Sequence, residues 1–451
     1  MEHAVTLMEM LGAREARAMR QQQLLEEYQL PVISFCLNIA GPVKNSPVLR
    51  RAFREGQERL VCALLAGRLD VVHREEVDQP TGCEALWVVR GDGRAVKELC
   101  VELEDRDALG RLFDLDVLDP MSGKWDRTQL GQPPRKCLVC GKEGKGCASR
   151  RLHTVEELQG ATQVILEDYF SQKDQQALGA LAAKALLYEV CTTPKPGLVD
   201  RSNNGSHRDM DVFTFLDSTA ALLPYFEEAV RLGMETRDLP AQETFRRLRQ
   251  AGAAGERAMF RATGGVNTHK GAVFTLGTVC AVAGRLWTAV GFSKDLEVTL
   301  VLCGEMSAQA VQEDFEAIRR EGAHTTGQRL YLEHGLEGIR GELSRGLPAV
   351  AQIGLPTLHR RLEAGDSLEQ AGVQVLLALM AQVVDTNLIA RGGLEGQQWA
   401  MEQAKNLTQG RAATQQEAEK LDRALIERNL SPGGCADLLA ITYFLEFLSR
   451  M

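Results

Sequence analysis

The run TGGVNTHKG, Thr263 to Gly271, sets a glycine pair, an amide, an imidazole and an ammonium side by side just ahead of a long apolar segment. Glycine lets a backbone approach a ligand closely, and Asn267, Thr268, His269 and Lys270 can then offer donors and charge to phosphate oxygens. A helix-entry turn capped by Thr268 or Asn267 accounts for the same residues. Three more polar loops keep this one company. Two prolines stop a helix in EVCTTPKPGLVDRSNNGSHRDMD, and the loop then presents Lys195, Asp200, Asn203, His207 and Asp209. VVDTNLIARGG carries Asp385, Asn387 and Arg391, and SPGGCADLLA opens a helix with Asp437 in its first turns, where a capping loop is the simpler reading. Loops of this kind can converge on one pocket between helices. Asp and Asn side chains with His207 and Asp209 could then hold Mg²⁺ on a triphosphate. Lys195, Lys270 and Arg391 would answer phosphate charge, and a spare carboxylate would remain for proton transfer. Ordinary surface histidines are the alternative for His207 and His269.

The first half offers a different set. In RLFDLDVLDP, Asp114 and Asp116 stand one residue apart, so on a strand both point to one face, with Leu112 beside them and Phe113, Leu115 and Val117 opposite. Paired carboxylates repel unless a cation lies between them, which suits Mg²⁺ in phosphoryl or nucleotidyl transfer; a wet strand face is the alternative. Lys44, Arg50 and Arg51 follow a strand and a glycine turn in GPVKNSPVLRRAFREG, where a phosphate cradle or a solvated helix face would both fit. Cys137, Cys140, Cys147 and His153 follow a C-x2-C pattern with a further Cys and a His, which could close a tetrahedral Zn²⁺ site. Six basic residues between 135 and 151 face Glu143 alone, an excess that suits a polyphosphate or an acidic partner.

These residues need a scaffold of at least two domains, because 451 residues exceed one ordinary core. In residues 1–170, helical spacing over 9–28, a buried strand from Val32, and strand-like ALWVVRG, CVELED and RLFDLDVLDP predict an α+β domain. SQKDQQ, Ser171 to Gln176, reads as a polar break. From 171 to 451 strand signals almost vanish and apolar residues recur at three- and four-residue spacing, which predicts an all-α domain around the Gly- and Ala-rich run 271–290. The formal charge of −9 is spread over both halves and aromatics are few, so neither nucleic acid nor a membrane surface is the expected partner. Acids and arginines come too early for a signal peptide, no run is long enough to span a bilayer, and scattered single cysteines suit a cytoplasmic setting.

SFCLNIAGPVKN, GRLFDLDVLDP and PPRKCLVC with Cys147 and His153 resemble the apo-citrate lyase phosphoribosyl-dephospho-CoA transferases. That resemblance implies a nucleotidyltransferase-like domain moving a ribosylated dephospho-CoA group onto a serine of the lyase's acyl carrier (gamma) subunit, with pyrophosphate leaving. TPKPGLVDRSNNGSHRDM, MFRATGGVNTHKG, TTGQRLY, DTNLIARGG and NLSPGGCADLLA resemble the triphosphoribosyl-dephospho-CoA synthases. This second likeness implies that ATP and 3′-dephospho-CoA give 2′-(5″-triphosphoribosyl)-3′-dephospho-CoA and adenine. Ser344 and Cys435 stand where that family would place an acid and a small hydroxyl residue. The expected enzyme is bifunctional: Asp114 and Asp116 hold metal while Lys44, Arg50 and Arg51 steady phosphates; Asp209 and Asp385 divide metal and base duty; His269 joins the catalysis; and Lys195, Asn267, Lys270 and Arg391 bind substrate. The same chemistry on a malonate decarboxylase carrier, or a nucleotide-binding regulator without turnover, are the alternatives.

Overall fold

The computed structural model describes residues 3–451, apart from the side chains of Lys145 and Ala148. The chain packs as two units that meet in sequence between Gln172 and Lys173.

In the first unit, Thr6 and Glu9 form a capping box that starts α1 (Leu7–Tyr28). Then follow β1 (Val32–Leu37), α2 (Pro47–Ala66), β2 (Asp70–Gln79), β3 (Gly82–Arg90), α3 (Gly93–Asp105), β4 (Phe113–Asp119), β5 (Gly123–Trp125) and the short α4 (Gly144–Ser149). The five strands form one sheet in the order β2-β3-β1-β4-β5 with every pairing antiparallel. Strand alternation sends Ile33, Phe35, Leu115 and Val117 to one side, where Phe35 stacks on Phe53 of α2 at 4.7 Å and α3 packs along β4. The opposite side carries Ser34, Cys36, Asp114 and Asp116. There α1 lies across it, with Gln21 donating to Ser34 Oγ at 2.7 Å and Arg17 paired with Glu84 at 2.9 Å.

Two expectations fail in this unit. Cys100 to Asp105 end a helix instead of forming a strand: Val96, Cys100 and Leu103 recur at four and three residues and are all buried. Leu112 belongs to a buried 3-10 turn, Gly110–Leu112, and does not share the carboxylate face. β2 escaped the sequence reading because it is an edge strand of charged, mostly exposed residues with no apolar alternation.

SQKDQQ is no break. It lies inside α5 (Val155–Cys191), whose sequence there holds neither Gly nor Pro to stop a helix.

The second unit is built of helices: α6 (Val212–Glu235), α7 (Ala241–Ala262), α8 (Lys270–Arg285), α9 (Leu296–Glu321), α10 (Thr326–His334), α11 (Gly338–Ser344), α12 (Leu355–Glu363), α13 (Leu368–Met380), α14 (Thr386–Thr408), α15 (Gln415–Glu427) and α16 (Gly433–Ser449). α8 is the hub, buried almost throughout and packed on α6, α7, α9 and α16. Its small residues permit this. A Cβ on Gly284 would stand 2.2 Å from the Val230 carbonyl oxygen of α6, so the two backbones touch where any larger residue would hold them apart. Among the described residues no helix is long and apolar enough to cross a membrane.

Candidate functional site

Where α8, α14 and α16 begin, their first turns and the loop before α6 enclose a cavity of about 1130 Å³ in the helical unit. Lys195, His207, Asp209, Asn267, His269, Lys270, Asp385 and Arg391 all line it, as does Asp437. The polar loops that the sequence scatters over more than 240 residues therefore share one space.

His269 is 3% exposed. Its Nδ1 lies 2.7 Å from Ser218 Oγ, and that oxygen accepts a hydrogen bond from Thr268 Oγ1, also at 2.7 Å. We assign the ring proton to Nε2, with Ser218 donating to Nδ1; Nε2 is buried and meets no hydrogen-bond partner among the described residues. Burial, helped by the Lys195 charge, pulls the His269 pKa down to about 3. A neutral imidazole results, one that can donate from Nε2 without carrying charge. The surface-histidine alternative is excluded.

His207 has both ring nitrogens in use: Nε2 is 2.9 Å from Ser431 Oγ, and Arg391 Nη2 is 3.2 Å from Nδ1. Burial and then Arg391 lower its pKa to about 4. With each nitrogen engaged, His207 supports Arg391 in this structure. Arg391 also donates to the Ser206 carbonyl at 2.8 Å and to Asn429 Oδ1 at 3.1 Å. Among the described residues it has no carboxylate partner, so its charge faces the cavity uncompensated. Lys270 pairs with Glu256 at 3.1 Å, while Asn267 Oδ1 accepts the Lys270 N–H at 3.3 Å where α8 begins. Lys195 departs from expectation. It is 1% exposed, and its ammonium goes to the Glu189 carboxylate rather than standing free for phosphate.

The carboxylates are arranged unevenly. Asp385 is buried and ties two helix starts together, accepting the Asn387 N–H of α14 at 2.8 Å and the Cys435 N–H of α16 at 2.9 Å. Asp209, largely exposed, stands 3.9 Å from His207 Nδ1. Asp437 is the residue the sequence reading passed over as part of a cap. Among the described residues it makes no hydrogen bond, and loss of solvent followed by the like charges of Glu189 and Asp385 drives its pKa well above the carboxylate range. A Cβ on Gly271 would lie 1.8 Å from Asp437 Oδ2. A glycine at the second position of a helix, where any ordinary residue would serve, was the available signal that something packs there. Ser218 and Glu189 sit inside apolar helical runs and left no such trace. Of the two departures noted in the sequence, Cys435 is buried behind Asp385, and Ser344 bonds back to the Gly341 carbonyl at 3.0 Å; neighbouring Glu342 lines the cavity.

On the sheet of the first unit, Asp114 and Asp116 share a face as expected, opposite Cys36 and Ser34 of β1. Lys124 reaches Asp116 at 2.6 Å, and Arg135 lies 3.7 Å from Asp114. Lys44 donates to the Ile39 carbonyl. Arg50 donates to Asn45 Oδ1 at 2.8 Å, and Arg51 lies 4.1 Å above the Phe170 ring. Both arginines thus hold neighbouring chain. The possible ligand atoms of Cys137, Cys140, Cys147 and His153 all lie within 4.8 Å of one another.

Comparison with known proteins divides the chain the same way. Residues 5–169 match the family described as "CitX: Apo-citrate lyase phosphoribosyl-dephospho-CoA transferase", and residues 175–451 match "CitG: ATP:dephospho-CoA triphosphoribosyl transferase". Protein CitXG of Haemophilus influenzae is 37% identical over 98% of this chain and 96% of its own length. Protein CitXG of Leuconostoc mesenteroides subsp. cremoris is 35% identical over 98% of this chain and 97% of its own. The 2-(5''-triphosphoribosyl)-3'-dephosphocoenzyme-A synthase of Pectobacterium atrosepticum is 43% identical over 62% of this chain and 92% of its own.

Proposed function

Because this chain belongs along its whole length to the family of fused CitX and CitG transferases, we propose that its two units act in succession on one prosthetic group. The helical unit converts ATP and 3′-dephospho-CoA to 2′-(5″-triphosphoribosyl)-3′-dephospho-CoA and adenine. The first unit passes the phosphoribosyl-dephospho-CoA group to the apo-citrate lyase acyl carrier protein, with diphosphate leaving. The acceptor is a serine of the carrier, which we take to be the lyase's gamma subunit. The need for ATP and the free cysteines fit a cytoplasmic setting.

The first reaction is a glycosyl transfer in which the 2′-hydroxyl attacks C1″, adenine departs and the triphosphate stays whole. Departure of adenine leaves electrons on a ring nitrogen, and the neutral His269 Nε2–H is suited to donate a hydrogen bond there. Arg391 offers the uncompensated charge for the triphosphate, with Lys270 and Asn267 beside it. Asp209, the carboxylate least committed to the protein, is assigned to take the hydroxyl proton. Crowding of Asp437 by Glu189 and Asp385 fits a divalent cation, so Asp437 and Asp385 would hold Mg²⁺, which would supply charge neutralisation at the phosphates.

The first unit is different. Asp114 and Asp116 have Arg135 and Lys124 beside them, and we propose that these cations, where the spacing alone suggested magnesium, balance the pair. We assign the pair to receiving the serine proton, in a nucleotidyltransferase-like transfer with Lys44 toward the leaving diphosphate.

One observation carries the proposal for the helical unit: a neutral buried histidine, an unpaired arginine and a crowded carboxylate line the same cavity. The test is adenine release from ATP plus dephospho-CoA, followed by chromatography on the full chain, with carrier modification read by mass spectrometry. Full adenine release by both Asp209→Asn and Asp437→Asn would remove the assignment.

A further inference from the structure

Between Gly131 and His153 the only described side chains that are buried are Cys137 and Cys147; Val139 and Leu152 are exposed. Leu138 is half-buried, and one such leucine gives a segment of this length little hydrophobic reason to hold a shape. Yet it folds as a tight hairpin, with the Cys137 N–H donating to the Lys142 carbonyl at 2.6 Å, the Gly144 N–H to Arg135 at 2.8 Å, and the Gly141 N–H to Cys137 at 3.1 Å. Gly141 follows the second cysteine with a φ of 70°, the left-handed turn that folds a C-x2-C-G segment around its first sulfur. The backbone N–H groups of Cys140 and Val139 turn toward that sulfur. Cys147 comes from the helix behind the hairpin and brings its sulfur to 3.4 Å from that of Cys140. His153 closes the fourth side, its Nε2 buried without a partner.

We infer that Cys137, Cys140, Cys147 and His153 bind one zinc ion, and that this ion is the core of the 131–153 segment. The geometry needs little adjustment. A Zn–S bond of about 2.3 Å in a tetrahedron separates sulfurs by about 3.8 Å. The four ligand atoms, already within 4.8 Å of one another, reach that spacing with shifts below about 1 Å. Three thiolates and one imidazole form a closed ligand set with no open position, which is structural rather than catalytic zinc.

The site has a consequence for its surroundings. Arg135, two residues before Cys137, pairs with Glu104 and approaches Asp114 at 3.7 Å, while Glu104 accepts the Leu115 N–H at 2.9 Å. Arg111 donates to the Lys136 carbonyl. The metal thus holds the hairpin that holds Arg135 against β4. This inference rests on the ligand geometry and stands whether or not the transfer reaction is assigned correctly.

The experiment uses the full chain, purified without added metal and analysed by elemental mass spectrometry. About one zinc per chain is expected, falling at least tenfold in the Cys140→Ser/Cys147→Ser double variant, while adenine release by the helical unit is kept. Replacing zinc with Co²⁺ in the unmutated chain covers the case in which the variant's first unit misfolds: intense visible bands with thiolate-to-cobalt charge transfer are expected. A chain that neither carries zinc nor takes it up from zinc chloride, a weak octahedral cobalt spectrum, or a Cys140–Cys147 disulfide in the isolated protein would each overturn the inference.

Discussion

The two acidic sites of this chain solve the same electrostatic problem in opposite ways. On the sheet of the first unit, each carboxylate of the Asp114/Asp116 pair has a cation of the chain beside it. In the helical cavity, among the described residues, Asp437 has none and is crowded by Glu189 and Asp385, while Arg391 stands without an acid. A paired acid is stable as it is; an unpaired one is poised to bind an ion or ligand from outside. The helical cavity should therefore respond strongly to small changes in charge and shape, and the sheet face weakly.

The largest effect is expected at Gly271. Its missing side chain makes room for Asp437, and Gly271→Ala would place a methyl 1.8 Å from Oδ2. Displacing the carboxylate by about an ångström should lower adenine release at least about 100-fold. Transfer of separately supplied triphosphoribosyl-dephospho-CoA to the carrier should be unchanged. Adenine release near the normal rate would mean that Asp437 is a bystander, and the contrast between the two sites would lose its basis.

Next comes the His269 relay. His269→Ala should reduce adenine release about 100-fold and Ser218→Ala about 10-fold, the latter because nothing then holds the ring in the Nε2–H tautomer. The pH dependence sharpens this. A histidine depressed to about 3, with His207 at about 4, is neutral from about pH 5 to 8, so the rate should show no histidine inflection near 6.5. Stability follows from the same shift. The unfolded chain takes up these protons near pH 6.5 and the folded chain only near 3 and 4, so the two histidines contribute most above 6.5 and lose that contribution as pH falls toward 4. A rate that climbs through pH 6.5 would show a histidine titrating in the mechanism.

These differences also explain what could be read without coordinates. The helical unit was legible because apolar spacing and Gly/Ala content report helices directly, and its polar loops announced themselves by clustering at helix ends. Lys195 and His207 were named for the chemistry of their side chains, but sequence does not tell that Glu189 and Arg391 already engage them. Asp437 and Ser218 were missed or discounted because one polar residue in an apolar helix looks like a cap or a satisfied core group. In the first unit alternation located Asp114 and Asp116 and their shared face. Their partners, Lys124 and Arg135, come from a hairpin and a loop whose register local pattern does not determine.

The smallest effect is expected at Lys124. Lys124→Ala removes the cation from Asp116 at a site where the lysine is 59% and the aspartate 34% exposed, so solvent and salt already screen the pair. Its loss should change unfolding free energy by less than about 1 kcal/mol in thermal or denaturant unfolding. The informative readout is magnesium. If Lys124 takes the place a metal would otherwise hold, carrier modification by the unmutated first unit should depend little on added Mg²⁺, and the variant should acquire such a dependence as Asp116 is left to find another cation. Strong magnesium dependence in the unmutated chain, unchanged in Lys124→Ala, would show that the ion pair yields to metal during turnover. The two acidic sites would then differ in their resting state only.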